Sequence, residues 1–405
     1  MKNKKIVYKN FIQNEYIDKR LNKKYLRSFS NIFDKINSNL NITKNSLHLL
    51  SRNFKFNFKT RDLTKFRKFR TVVIIGMGGS ILGSEAIYHF FKNKIKKNFV
   101  FLNNLNDSEI LDLKKKYSLD KVLFILISKS GKTIESISNI LALNIIRKRS
   151  KNLILVSEKN NNPFYLLAKK MELFHIEHKN YIGGRYSVLS EVGMLPAYLM
   201  GVNIVSIRQN LIKHFKTKNK FFLKQSTIKL ANILQAKKFK NIIFLNYSPR
   251  LEKFLFWKQQ LTAESLGKKG KGFLPFVSSA PKDHHSLLQL YLDGPRDKLF
   301  YIFSEGVSRT KKLNSNILGK NYNFLNRKSL NEIKNAQKKA FIKTLMKKRI
   351  PFREFIIGDF SEKNLGELFS YFMLETAIIG KLININPFDQ PAVEQVKANT
   401  KKLLI

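Results

Sequence analysis

The chain contains no cysteine in 405 residues. That absence excludes disulfides, thiolate metal sites and cysteine nucleophiles, and it fits a cytoplasmic protein. Long apolar runs are also missing, since no window reaches the roughly 18 uninterrupted apolar residues that a membrane span needs. Residues 1–20 are basic but lack the apolar core and cleavage site of a signal peptide, and Glu15 and Asp18 do not suit an acid-poor transit peptide. Five histidines (His48, His89, His175, His178, His214) show no metal-ligand spacing, so neither a metal nor another cofactor is expected. Acidic residues are few, 28 against 76 Lys and Arg, for a formal charge of +48. Such an excess attracts phosphate backbones and anionic surfaces. The basic residues are nevertheless scattered, and no nucleic-acid-binding motif accompanies them. They thin out after Pro351, where Glu354, Asp359, Glu362, Glu367 and Glu375 balance them. Lys, Asn, Ile and Phe are abundant together, as in proteins from A+T-rich genomes. The charge is therefore assigned to background composition, with no specific nucleic acid and no membrane as partner.

What is present is enough apolar material for real cores: 43% hydrophobic residues, including 34 Phe. The length suits two or three domains. Residues 1–65 read as helical packing material. Short β-branched runs then follow at Thr71 to Gly76, Phe99 to Leu102, Val122 to Ile127 and Asn152 to Val156, with helical stretches between them. Strands alternating with helices predict a parallel sheet covered on both faces. The alternation pauses over a helical stretch, 189–235, and resumes at Asn241 to Tyr247, Lys298 to Phe303 and Phe352 to Ile357. The expected organisation is a helical segment at 1–65, α/β domains at 66–205 and 206–385, and a tail at 386–405 that ends as a helix.

Two loops follow strands of the first domain. GMGGSILG (76–83) places closely spaced glycines where backbone N–H groups can approach an anion at a helix N-terminus. The dinucleotide fingerprint fails because Ile81 stands where its third glycine would be. SKSGKTIES (128–136) offers the hydroxyls of Ser128, Ser130 and Thr133 beside Gly131, but Leu126 replaces the leading glycine of a Walker loop. Hydroxyls and N–H groups at a helix start suit a phosphomonoester, and an ordinary N-cap is the alternative. Parallel strands carry both loops to one rim of the sheet.

A third stretch, 259–295, holds Glu264 in a predicted helix followed by His284 and His285. Glu264 falls near the helix C-terminus, where the macrodipole disfavours negative charge, and Lys268, Lys269 and Gly270 close the helix. A carboxylate so placed is a candidate general base. A surface glutamate beside a loop histidine is the alternative.

Taken in order, GMGGSILG (76–83), SKSGKT (128–133), GGRYSVLSEVGMLP (183–196), QQLTAESLGK (259–268), HSLLQLYLDGP (285–295) and NPFDQPAVEQVK (386–397) resemble the glucose-6-phosphate isomerase (phosphoglucose isomerase) family. The resemblance implies two αβα sandwich domains of the sugar-isomerase (SIS) type with mostly parallel sheets. It implies interconversion of D-glucose 6-phosphate and D-fructose 6-phosphate through a cis-enediolate, in glycolysis and gluconeogenesis. Gly78, Gly79, Ser80, Ser128, Lys129, Ser130 and Thr133 would hold the sugar phosphate. Gln260 and Gln390 would contact hydroxyls, Glu264 would be the base and Arg185 would lie against the reacting oxygens. His285 and Lys397 would assist ring opening, the histidine coming from the neighbouring subunit of a homodimer. The chain departs from the family pattern at Gly131-Lys132, at Leu266 after Glu264, at Lys282-Asp283-His284 and at Pro391 beside Gln390. Two alternatives stay open: a sugar-phosphate-binding SIS module without catalysis, and an isomerase that also accepts mannose 6-phosphate. Without the resemblance, Arg185 reads as a turn arginine paired with Glu191, and Lys397 as a solvated surface lysine.

Overall fold

The computed structural model describes residues 5–306 and 311–405. Its strands are β1 (Ile6–Phe11), β2 (Thr71–Gly76), β3 (Asn98–Leu102), β4 (Val122–Ile127), β5 (Leu153–Ser157), β6 (Phe174–Glu177), β7 (Asn241–Asn246), β8 (Leu274–Ser279), β9 (Lys298–Glu305) and β10 (Phe352–Ile357). They form two five-stranded sheets, ordered β3-β2-β4-β5-β6 and β1-β10-β9-β7-β8. Every pairing is parallel except β1 with β10.

The β-branched runs form central strands because both of their faces are buried. In β2, Val72 and Ile74 enter one core while Val73 and Ile75 enter another, and in β4 Leu123, Ile125 and Ile127 are separated from Phe124 and Leu126 in the same way. In the second sheet Tyr301 and Phe303 of β9 face inward, and Phe300 and Ile302 face the outer core. The inner faces of both sheets contribute to one continuous core. The helix Glu362–Leu382 fills it and is buried on all sides. Among the described residues no helix is long and apolar enough to cross a membrane.

Three strands depart from expectation. β1 lies inside the segment predicted to be helical packing material and closes the edge of the second sheet against β10. β6 and β8 were not anticipated either, and both are edge strands. The helix Lys19–Ser38 does conform to the helical expectation for that segment, with Tyr25, Phe29, Phe33 and Ile36 on its buried face.

Candidate active site

Gly76 of β2 pairs in register with Ile127 of β4, so the loops 77–81 and 128–133 leave the sheet side by side. This is the switch point of the sheet, with β3 on one side of β2 and β4 on the other. Gly78 adopts φ +52°, a left-handed conformation natural to glycine. A Cβ there would stand 2.8 Å from Gln260 Nε2, which shows how closely the loop lies on the helix Glu252–Leu266. Gly79 is pressed against the turn Gly184–Leu189: a Cβ would fall 2.2 Å from the Gly184 carbonyl carbon. In the second loop Ser128 Oγ and Thr133 Oγ1 are 2.9 Å apart. Thr133 holds the N-cap position of the helix Ile134–Leu143 but makes no capping bond, so its hydroxyl is not used as the ordinary-cap alternative requires. Ser130 is exposed at the loop tip and Ser80 is half-buried. Lys129 turns elsewhere, donating to Asn180 O at 2.7 Å and lying 3.7 Å from Glu158 Oε1.

The helix Glu252–Leu266 carries Gln260 and Glu264 one turn apart on one face. Gln260 Nε2 donates to Glu264 Oε1 at 2.7 Å, and Arg185 Nη1 lies 3.3 Å from Glu264 Oε2. The helix ends one residue earlier than its basic run, with Gly267 as cap and its N–H on Ala263 O. The Glu264 side chain is 31% exposed, whereas Arg185 is only 2% exposed. A buried guanidinium is costly unless its donors are paired, and here they are. Nε donates to Ser265 Oγ, Nη2 to the carbonyls of Pro387 and Asp389, and Nη1 to Gln390 Oε1 and Glu264. Nε and Nη2 therefore anchor the group on Ser265 and the backbone, and Nη1 is left to face the Glu264 and Gln390 side chains. Glu191, the alternative partner for Arg185, instead accepts from Asn57 N and Lys179 Nζ. The turn-arginine reading is thereby removed.

Several contributors were not singled out from the sequence. Trp257 Nε1 donates to Arg185 O at 3.2 Å and fixes the arginine from below. Tyr186 packs beside it, and burial raises the pKa of its phenol to about 12 despite the neighbouring guanidinium. Ser265 adjoins Glu264 in sequence and could have been inferred from that adjacency. From the sequence Lys268 is expected only to close the helix. Its ammonium in fact grips the 386–390 turn, and that hydrogen bond holds the Asp389 carboxyl below its ordinary range.

Two predicted residues lie outside this cluster. His285 is exposed, and its imidazole makes no hydrogen bond among the described residues, while the adjacent His284 bonds to the Tyr247 hydroxyl at 2.8 Å and lies against Phe341. His284 is therefore tied into the fold and His285 is free. Lys397 sits on the exposed helix Glu394–Leu403, paired with Glu394 at 2.8 Å. Within one chain neither residue joins Glu264 and Arg185.

The family profile described as phosphoglucose isomerase matches residues 48–404. Glucose-6-phosphate isomerase of Methanocaldococcus jannaschii is 32% identical over 354 residues, covering 83% of this chain and 85% of that protein. The enzyme of the same name from Mycoplasmopsis synoviae is 32% identical over 360 residues, covering 83% of each. A crystal structure of a glucose-6-phosphate isomerase from Chlamydia trachomatis superposes with a TM-score of 0.79 at 18% identity, covering 99% of this chain and 88% of that one, a likeness of fold.

Proposed function

The chain belongs to the phosphoglucose isomerase family, and from that premise we propose how its residues divide the work of a glucose-6-phosphate isomerase. The enzyme interconverts D-glucose 6-phosphate and D-fructose 6-phosphate. The observation that carries the division is the Glu264 carboxylate, held between Arg185 and Gln260 on the rim where the 77–81 and 128–133 loops emerge.

The chemistry moves a proton between C2 and C1 of an opened sugar. A carbon acid beside a carbonyl is far weaker than a carboxylic acid, so a positioned base supplies only about 10²–10⁴-fold. Orientation and stabilisation of the enediolate oxygens must supply the rest. The two loops hold the phosphate through N–H groups and the hydroxyls of Ser128, Ser130, Thr133 and Ser80. That anchor sets C1 and C2 against Glu264, which takes the proton from one carbon and returns it to the other. Arg185 Nη1 exchanges its bonds to Glu264 and Gln390 for the developing oxyanion, while its other donors stay anchored and need no reorganisation. Gln260 and Gln390 meet substrate hydroxyls.

Ring opening needs an acid and a base at the ring oxygen and O1, roles given to His285 and Lys397. His285 lies beyond β8, an edge strand whose Leu274 and Phe276 are 69% and 44% exposed. An exposed apolar edge of this kind suits a second copy of the chain, which would bring His285 to its neighbour's site. The cytoplasm is the proposed location.

The test is conversion of fructose 6-phosphate to glucose 6-phosphate by purified protein with chelator present. Turnover is expected, and Glu264→Gln is expected to abolish it while sugar-phosphate binding persists. Binding without turnover in the wild type would instead make this a sugar-phosphate-binding module.

A further inference from the structure

Gln390, one of the two side chains facing Arg185 Nη1, hangs on a five-residue turn, Asn386–Gln390, outside any helix or strand. Past that turn the chain offers no hold, because every residue from Asp389 to Ile405 is exposed. The turn is nevertheless fastened at its base. Lys268 Nζ donates to Asn386 O at 2.6 Å, to Asp389 O at 2.5 Å and to Asp389 Oδ1 at 2.6 Å. An ammonium has three N–H donors, and all three are spent here. Asp389 O is also an acceptor for Arg185 Nη2 at 2.8 Å, so two cations grip one carbonyl, Arg185 from inside the site and Lys268 from outside.

We propose that Lys268 is a positioning residue of the isomerase site, latching the 386–390 turn to the end of the helix that carries Glu264 so that Gln390 meets Arg185. The inference rests on the reading of that site given above. The base and the turn approach Arg185 from different parts of the chain, Glu264 Oε2 at 3.3 Å from Nη1 and Gln390 Oε1 at 2.9 Å. Lys268 follows Glu264 by four residues, immediately past the Gly267 cap, and it ties the outer side of the turn to the helix of the base, while Phe388 packs on Tyr186 from within. Were Lys268 only a surface ion-pair partner, it would matter little to anything. Its side chain, however, is 12% exposed beside an Asp389 that is 53% exposed, and two of its three acceptors are backbone carbonyls. A guanidinium at this position, being a planar fork, does not converge on three acceptors as an ammonium does.

The test is Lys268→Met in the full chain. kcat/KM for fructose 6-phosphate is expected to fall about 10- to 100-fold, mostly in kcat, as misplacement by an ångström or so does. The melting temperature should barely move, and Lys268→Arg should restore only a fraction of the loss. Amide exchange across 386–390 should rise while that of the helix Glu252–Leu266 stays put. Gln390→Ala should cost much less in the Lys268→Met background than in the wild type, because the two act through one contact. Unchanged exchange in the turn, kcat/KM within twofold of wild type, or additive losses would each overturn the proposal. Should Lys268→Met fail to fold, Asp389→Ala removes the side-chain arm of the latch at an exposed position and reads the same coupling. A wild type without turnover would sink the isomerase reading, and amide exchange would still decide whether the latch exists.

Discussion

Single residues in this molecule are set by what surrounds them more than by their kind, and His178 shows it. The ring is 1% exposed and neither nitrogen has a hydrogen-bond partner among the described residues. Burial, with Lys129 and Lys179 nearby, lowers its pKa to about 3, and burial likewise lowers those of His214 and His175 to about 4. The unfolded chain therefore binds more protons than the folded one between pH ~6.5 and those values. Stability should be full above pH 7 and fall as pH drops, by up to about 1.4 kcal/mol per pH unit for each of the buried His178 and His214 and by less for the half-buried His175. Urea unfolding of wild type and His178→Leu at pH 7.5 and 5 checks this, the variant losing less stability on acidification. An equal loss in both would mean that the ring is hydrated or charged in the folded state. Residue-scale inference from sequence reached Glu264 because a helical carboxylate near histidines is a local pattern. Local spacing pairs Arg185 with Glu191, six residues on, and the fold overturns that pairing because Glu264 and the 386–390 turn, distant along the chain, are the groups it brings to the guanidinium. For the same reason Lys268, one lysine among many, carried no local signal.

Most of the elements legible in sequence are buried strands, the apolar edge strand β3 being the exception. β2, β4, β7 and β9 are buried on both faces and read as uninterrupted apolar runs. The missed strands are edges: β1 is IVYKNF, β6 is FHIE, and β8 is LPFVSS with Pro275, which only an edge tolerates. Half-exposed strands carry mixed residues, so their sequence resembles loop. The contact between the 78–80 turn and the 184–189 turn is equally invisible in sequence, and it sets where Arg185 stands. Gly79→Ala should test it, because the added methyl would meet Gly184 and Arg185 backbone at 2.2 to 2.6 Å, atoms that no rotamer change can move aside. The expected outcome is a loss of about 1–3 kcal/mol in stability together with a large fall in turnover. Gly201→Ala is the control. Its φ of +81° is strained for alanine but nothing lies within 4 Å, so it should cost about 1–2 kcal/mol and leave turnover unchanged. If both substitutions affected turnover alike, the 78–80 and 184–189 contact would have no special part in placing Arg185.

At the scale of the whole molecule the proposed site divides into a part that one chain completes and a part that it does not. Arg185, Glu264, Gln260 and Gln390 are joined by direct bonds. His285 and Lys397 stand exposed, the first past the edge strand β8 and the second on a helix exposed along its whole length. A sugar ring cannot open in the site unless acid–base groups reach it, so the proposed dimer assigns His285 to the partner's site. Mixed dimers separate this from a one-chain arrangement. His285→Ala and Lys397→Ala should each be nearly inactive alone. When the two are unfolded together and refolded, mixed dimers would hold one site lacking both groups and one intact site if the residues serve a site from different chains. Random pairing makes half the dimers mixed, so about a quarter of the sites, and of wild-type turnover, should return. If both residues served the site of their own chain, every site would lack one group and mixing would recover nothing. Sedimentation of the mixture would show whether dimers had formed, so that an absence of recovery could be assigned to geometry and not to failed assembly.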